Sequence, residues 1–206
     1  MAGNEGDEDL GAIGFMFDSM HERFIKDIIV PSLSRDFSLS LTLIGEDPGH
    51  RQSGHYLWPA AQFLASYLAQ NWERCQASFV IELGSGIGLC GILSCLLGDQ
   101  TQQVVLTDYD PGCLDLLKIN IQANNCQHHC RAQFLLWGDD NLQEVLAGSE
   151  VRDDLLLIGS DLLYCKEVVE PLFRTISRLL LHQEGRPGYF LLASSFDVGE
   201  VCQLLL

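Results

Sequence analysis

Basic residues are scarce in this 206-residue chain, which carries 12 lysines and arginines against 28 aspartates and glutamates, a formal net charge of −16. Nucleic-acid-binding proteins normally present basic patches to the phosphates, so this charge argues against DNA or RNA as a partner. A basic protein segment would suit the acidic surface better. The same charge could also serve only to keep the protein soluble.

Long apolar runs are lacking as well, since none reaches the roughly 20 residues of a membrane-spanning helix. Residues 1–9 are acidic and polar, unlike a secretory signal or a transit peptide. Most of the eight cysteines lie in apolar segments, as reduced core cysteines do. We therefore expect no membrane partner and a cytoplasmic location, with the nucleus as the alternative.

Hydrophobic residues make up 47% of the chain, which is enough for one packed domain. We expect a flexible acidic tail over residues 1–10 and a single domain over 11–206, with an N-terminal extension (11–57) and a core (58–206). In the extension, apolar spacing predicts a helix over 15–30, and alternation predicts a strand over Phe37–Ile44. Prolines and glycines predict a loop over 46–54.

In the core, predicted strands and helices alternate. The strands are Phe79–Leu83, Gln103–Thr107, Ala132–Trp137, Asp154–Ser160 and Tyr189–Ala193, and the helices are Trp58–Ala69, Ile87–Leu97, Pro111–Ala123 and Glu167–His182. Several strands are apolar throughout, which is typical of a parallel sheet covered on both faces. The sequence predicts an α/β fold, a Rossmann-like, mostly parallel sheet with helices on both faces.

Three glycines, Gly84, Gly86 and Gly88, follow the first core strand and precede a helix, an arrangement typical of nucleotide binding. The letters from Gly86 to Gly91 match the dinucleotide fingerprint, but Gly84 already occupies the place directly after the strand. Glu82-x-Gly84-x-Gly86-x-Gly88 describes the pattern better, and Glu82 would repel a pyrophosphate and attract a cationic ligand group. The alternative is that the glycines only allow the strand-to-helix turn and bind no ligand.

Asp108 ends the next predicted strand, where a carboxylate can accept hydrogen bonds from both hydroxyls of a ribose. The alternative is a simple turn or cap aspartate. Asp110 is expected to begin the following helix instead.

Five motifs occur in order, namely Trp58-Pro-Ala-Ala, Glu82-Leu-Gly-Ser-Gly-Ile-Gly, Thr107-Asp108, Leu136-Trp137-Gly138 and Asp161-Leu-Leu-Tyr164. Over roughly residues 37–193 they resemble the class I (seven-strand) S-adenosylmethionine-dependent methyltransferases, and specifically the family-16 protein-lysine methyltransferases. The resemblance implies S-adenosyl-L-methionine as cofactor and S-adenosyl-L-homocysteine as product. It also implies a protein substrate with an accessible lysine, which could lie in a basic segment. Residues 58–206 would then be the cofactor-binding core.

The resemblance also implies roles for individual residues. The residues implied to bind the cofactor are Trp58, Glu82, Gly84, Ser85, Gly86, Gly88, Asp108, Trp137 and Ser160. The residues implied to take part in catalysis are Asp161 and Tyr164. Asp161 would position the lysine rather than act as a base, because a carboxylate raises the pKa of a nearby ammonium group. Read without the family, the tryptophans could be core residues, Asp161 a helix cap and Tyr164 a packing residue.

Three functions remain open at this stage. The first is a protein-lysine methyltransferase, the second a methyltransferase for another side chain or a small molecule, and the third a cofactor-binding module without catalysis.

The segment Cys126–Cys130 contains soft ligands but no second ligand pair at zinc-finger spacing, so we expect a plain loop and no metal. His55 receives no role. The residues after Ala193 are too few for the family's C-terminal antiparallel strand pair, which is therefore expected to be missing.

Overall fold

The computed structural model describes residues 22–45, 53–139, 142–148, 154–181 and 188–195. The strands are β1 (Arg23–Val30), β2 (Phe37–Ile44), β3 (Phe79–Leu83), β4 (Gln103–Asp108), β5 (Cys130–Phe134), β6 (Leu155–Ser160) and β7 (Tyr189–Ala193). The α-helices are α1 (Pro59–Cys75), α2 (Leu89–Leu97), α3 (Pro111–Ala123), α4 (Gln143–Leu146) and α5 (Val169–Leu181), and short 3-10 turns cover Ser53–His55 and Lys166–Val168.

Strands β3 to β7 form one parallel sheet in the order β5-β4-β3-β6-β7, which confirms the predicted fold class. From β3 the chain proceeds to one edge through β4 and β5, and then crosses back to fill the other side with β6 and β7. The carboxyl ends of β3 and β6 therefore lie side by side at the point where the winding direction changes. In open α/β sheets this point is where ligands bind.

Two apolar clusters cover the two faces of the sheet. Val80 of β3 packs into the first cluster with β2, α1, α2 and α3, while Phe79 and Ile81 pack into the second with α4 and α5. Successive residues of one strand thus point to opposite faces, and both faces are buried. This burial explains why the core strands are apolar throughout rather than alternating.

The helix predicted over 15–30 is wrong for residues 23–30, which form β1 and pair antiparallel with β2. Only Val30 of this strand is buried, so helical spacing of apolar residues did not reflect a buried helical face. The β-branched residues Ile25, Ile28, Ile29 and Val30 favour a strand. Residues 15–21 lie outside the described residues.

Other element boundaries differ from the predicted ones. Helix α1 runs six residues beyond the predicted end at Ala69, whereas β5 begins two residues before Ala132 and ends at Phe134, which leaves Trp137 in a loop. The acidic tail, most of the predicted 46–54 loop and the expected missing strand pair after Ala193 involve residues outside the described ranges. No helix in the described ranges is both long and apolar enough to cross a bilayer.

The β1–β2 hairpin is attached to the sheet layer by Asn120 of α3 and by Asn124, which caps the C-terminus of this helix. The Asn120 side chain accepts the Thr42 N–H (2.7 Å) and donates to the carbonyl oxygens of Thr42 (3.2 Å) and Ile87 (2.9 Å). One turn later, the Asn124 side chain accepts the Ser40 N–H (3.0 Å) and donates to the Ser40 carbonyl oxygen (2.9 Å). These amides mimic a neighbouring strand along β2, and Asn120 also holds the residue before Gly88.

Replacement of Asn120 by Ala should lower the free energy of unfolding by about 2–4 kcal/mol, because buried backbone groups of Thr42 and Ile87 lose their partners. Asn120→Asp keeps the acceptor for Thr42 but sets an oxygen against the Ile87 carbonyl, so we expect a comparable loss. Urea unfolding measures both, with Gln122→Ala on the exposed side of α3 as the control. An Asn120→Ala variant as stable as this control would refute the anchoring role.

Candidate active site

A cleft opens at the carboxyl edge of the sheet, where β3 and β6 end. Its lining contains ten residues singled out from the sequence, namely Trp58, Glu82, Gly84, Ser85, Gly86, Asp108, Trp137, Ser160, Asp161 and Tyr164. The cleft holds about 1010 Å³ of space outside the protein atoms, open mouth included. The lining combines apolar and aromatic side chains with a few carboxylates, which is typical of small-molecule sites.

Gly84 and Gly86 form the floor, both in the left-handed backbone region (φ +57° and +53°). A Cβ at Gly84 would lie 2.8 Å from Leu162 Cδ2, and a Cβ at Gly86 would lie 2.6 Å from the Gly54 carbonyl oxygen. The contact at Gly86 is with backbone and cannot be relieved cheaply, and the left-handed conformation at both positions is strained for other residues, so the turn requires glycine.

Gly88 has a different position from the other two glycines. It is the residue that precedes α2, has φ +86°, and does not line the cleft. A Cβ there would lie 2.6 Å from Leu117 Cδ2 of α3. Gly88 therefore acts on the site by letting α2 and α3 pack, and the cofactor contact implied for it stays a prediction.

Asp108 joins the glycine turn to the next strand. Its Oδ2 accepts the Gly86 N–H at 3.0 Å, and its Oδ1 accepts the Asp110 N–H at 3.0 Å. The side chain faces the cleft, and burial raises the pKa of its carboxyl above the ordinary value. Asp110 caps α3 by accepting the Gly112 N–H at 2.6 Å, which confirms that it begins this helix.

Glu82 lies at the bottom of the cleft and is almost fully buried. Its Oε2 accepts the Gly91 N–H at 3.0 Å, where α2 passes close to β3 and β4. Burial raises the pKa of Glu82 to about 8, against the lowering effect of the hydrogen bonds from Gly91 and Ser85. At neutral pH the side chain is therefore mostly a neutral acid.

The two tryptophans of the cleft belong to different segments of the chain. Trp58 precedes α1 directly, followed by Pro59 in the first helical position. Trp137 lies in the loop after β5, with its ring edge 3.1 Å from the position of a Cβ on Gly84. Both rings border the cleft, so neither is an ordinary core residue.

Asp161 connects three parts of the chain and is only 7% exposed. Its Oδ1 accepts the Ser195 N–H at 2.6 Å, both oxygens lie 2.9 Å from the Ser195 hydroxyl, and its Oδ2 accepts the Ala60 N–H at 3.3 Å. Asp161 itself has φ +54°, a conformation that aspartate tolerates better than most residues. The carboxylate thus caps α1 from another element and fixes the segment after β7.

Two tyrosines stand at the mouth, Tyr164 (56% exposed) and Tyr109 (59% exposed). Burial, and secondarily the nearby Tyr109, raises the pKa of Tyr164, so its phenol is neutral at physiological pH. Both tyrosines also border an adjoining hollow lined by Leu136, Trp137 and Pro171. The mouth therefore offers aromatic surface and hydroxyl groups rather than a base.

The charge of the cleft is one-sided. Four acids line it, namely Asp108, Asp110, Asp161 and the mostly neutral Glu82, and no lysine or arginine belongs to its described lining. Carboxylates that are removed from water need hydrogen bonds or a positive partner. The cleft suits a cationic ligand and opposes an anionic one such as a pyrophosphate.

The sequence interpretation missed the Ser53–His55 turn, which lies across the glycine turn and fell within a predicted loop. No local pattern revealed this contact, because it joins segments about 30 residues apart. It also missed Tyr109, for which a signal existed. Tyr109 directly follows Asp108 at the carboxyl end of a strand, the edge where ligand-facing residues gather.

The family described as "Lysine methyltransferase" matches residues 38–194. The chain is 34% identical, over 160 residues, to "Protein N-terminal and lysine N-methyltransferase EFM7" of Cryptococcus neoformans, which covers 75% of this chain and 50% of that protein. It is 33% identical to "Protein N-lysine methyltransferase METTL21A" of Xenopus tropicalis, which covers 67% of this chain and 59% of that protein. The chain thus spans about half the length of the curated relatives it matches.

Among solved structures, a protein from Streptococcus mutans described as a SAM-dependent methyltransferase superposes with a TM-score of 0.52. The superposition covers 86% of this chain and 44% of that one at 9% identity, so it speaks for the fold alone. The family match spans most of the sheet and both walls of the cleft. The chain belongs to the lysine methyltransferase family.

Proposed function

We propose that this protein is an S-adenosyl-L-methionine-dependent methyltransferase that methylates a lysine side chain of a protein substrate. One observation carries the proposal. A glycine-floored cleft at the switch point of the sheet presents carboxylates and aromatic rings, and no basic side chain among its described lining residues. The names of the relatives support the lysine acceptor, and the name of the Cryptococcus protein keeps an N-terminal amine as a second candidate.

The residues of the cleft fit this cofactor. A Cβ would collide at Gly84 and Gly86, so the backbone forms a bare cradle, and the second lone pairs of the Asp108 oxygens are available to ribose hydroxyls. Trp137 would pack against the adenine and Trp58 would cover the opposite side. When bound, the cofactor supplies a methyl group already activated by the sulfonium charge.

The acceptor would enter between Tyr109 and Tyr164, whose rings can contact an ammonium group by cation–π attraction. We propose that Tyr164 touches the acceptor nitrogen. Asp161 is better assigned as a positioning residue, because its two oxygens already accept hydrogen bonds from Ala60 and Ser195. The acidic surface favours a lysine in a basic segment, and the cytoplasm is the proposed location.

Labelled methyl transfer tests the function. With methyl-tritiated cofactor and cell lysate, the protein should label a protein band, and acid hydrolysis should release the label as methyl-lysine. Asp108→Ala should lose cofactor binding and transfer together, because ribose and Gly86 lose the same carboxylate, while Gln122→Ala on the outer side of α3 should keep both.

The alternatives give distinct outcomes in that experiment. Cofactor binding without any labelled product would favour an interaction module, and label confined to small molecules would remove the protein substrate. Label released as methylated N-terminal amine would change the acceptor and leave the enzyme class intact.

Cofactor affinity should rise with pH between about 6 and 8 and level off above. Glu82 is protonated below its pKa of about 8, and a cationic ligand group beside it favours the ionised form. Cofactor binding therefore releases a proton from Glu82. The affinity is higher at a pH where Glu82 is already ionised before the cofactor binds. Calorimetry in buffers of different ionisation enthalpy at pH 6.5 measures the release.

Glu82→Gln is the matched variant, since it retains an oxygen for the Gly91 N–H and cannot ionise. Its cofactor affinity should vary less with pH, and its binding should release less than half of the wild-type protons. An unchanged proton count in Glu82→Gln would assign the release to another group.

Ser195→Ala separates positioning by Asp161 from direct action of its charge. This variant keeps the Asp161 carboxylate and the Ser195 N–H bond but loses the hydroxyl that bridges both oxygens. If Asp161 acts by position, kcat should fall about tenfold or more while cofactor affinity stays near wild type. The kcat of Asp161→Asn should fall further, and this variant should also lose stability. The reason is that the new amide donor would face a buried backbone N–H donor, that of Ala60 or of Ser195. A fully active Ser195→Ala beside an inactive Asp161→Asn would instead assign the role to the charge itself.

A further inference from the structure

Three side chains that are able to ligate a metal lie together beside the cleft, which Asp110 and Cys113 line. His55 ends the Ser53–His55 turn, Asp110 caps α3, and Cys113 lies in the first turn of that helix. Each contributes one donor atom, an imidazole nitrogen, a carboxylate oxygen or a thiol sulfur, and these atoms all lie within 4.8 Å of one another. All three residues are buried, with 4%, 6% and 1% exposure respectively.

Local geometry explains how the cluster arises. Asp110 and Cys113 are three residues apart at a helix start, which places them on the same face. Two glycines allow the turn to approach this face. A Cβ at Gly112 would lie 2.8 Å from His55 Nε2, and a Cβ at Gly54 would lie 2.6 Å from Cys113 Sγ. The approach of the turn to α3 thus depends on a glycine, which has no side chain, in each of the two segments.

The surrounding charge favours a cation. Asp110 and the neighbouring Asp108 bring two carboxylates to this wall, and both are at least 93% buried. The ion pairs found within the described ranges, Lys118–Asp115 and Arg174–Glu170, lie on exposed helix surfaces and do not involve them. A bound divalent ion would offset the buried negative charge.

We propose that His55, Asp110 and Cys113 form a transition-metal site of the zinc type. A mixed nitrogen, oxygen and sulfur donor set suits zinc or cobalt and is unsuited to magnesium or calcium, which prefer oxygen ligands alone. Three protein ligands leave a fourth position for water or for a group in the cleft. This site is separate from the Cys126–Cys130 segment considered on sequence grounds.

Binding has a defined balance and a structural consequence. The metal–sulfur bond forms as the Cys113 thiol proton leaves to water, so one proton is released per ion bound. The ion would tie the Ser53–His55 turn to α3, and Gly54 of this turn contacts Gly86 on the cleft floor. Occupancy should therefore stabilise the floor of the cleft, whether or not the protein transfers methyl groups.

Cobalt titration of the untagged, chelator-treated full chain tests the site. We expect a saturable signal at one equivalent, with a thiolate-to-cobalt charge-transfer band and tetrahedral visible bands. Cys113→Ser should abolish the charge-transfer band. Asp110→Asn should weaken binding about tenfold or more, and it keeps the helix cap because asparagine caps as well as aspartate.

A second thiol cluster provides the control. The Cys95 thiol donates to the Cys126 carbonyl oxygen (4.0 Å), the Cys126 thiol donates to the Asn124 carbonyl oxygen (3.4 Å), and neither cysteine belongs to the cleft lining. Cys95→Ser should leave the cobalt signal unchanged if the proposal is right. The proposal fails if wild-type protein gives no saturable signal, if Asp110→Asn binds cobalt like wild type, or if Cys95→Ser loses the band. Circular dichroism establishes that each variant is folded, and zinc should raise the Tm of wild type but not of Asp110→Asn.

Discussion

The hydrogen bond from the Gly86 N–H to Asp108 Oδ2 is the contact on which the site depends. It joins the turn after β3 to the end of β4, and the second oxygen of the same carboxylate holds the Asp110 N–H at the start of α3. One side chain thereby sets the position of the cleft floor, of the adjacent wall and of the helix behind it. Since the glycines admit no side chain, the bare backbone must be held from outside, and Asp108 does this.

Asp161 repeats this arrangement on the other half of the sheet. Its oxygens hold the first turn of α1 and the segment after β7, as those of Asp108 hold the glycine turn and α3. Backbone N–H groups thus satisfy both carboxylates in the absence of a basic side chain among the described cleft residues. This choice keeps the cleft negative and lets it attract a positive ligand without first breaking an internal ion pair.

The parts of the fold that could be predicted are those that short-range chemistry determines. Glycines after a buried strand, a carboxylate at the next strand end and the helix cap at Asp110 are local patterns, and the structure brings the first two together. The strand at residues 23–30 could not be separated from a helix by spacing, because its pairing with β2 decides it. Local patterns could not predict contacts that join distant segments. Two such contacts are that of Asp161 with Ala60 and that of the Ser53–His55 turn with Gly86.

A negative cleft creates a tension for chemistry at an amine. The carboxylates attract an ammonium group, yet they also raise its pKa, and a lysine that must be neutral at pH 7 already costs about 4–5 kcal/mol. Glu82 adds little to this conflict, because it is mostly neutral in the free protein and its carboxylate would be offset by the cofactor's own positive group in the complex. Tyr109 and Tyr164 attract the ammonium group through their ring faces, and the same aromatic surface removes water from it, which favours its neutral form. Attraction to the acidic surface and loss of the proton at the mouth are then separate steps.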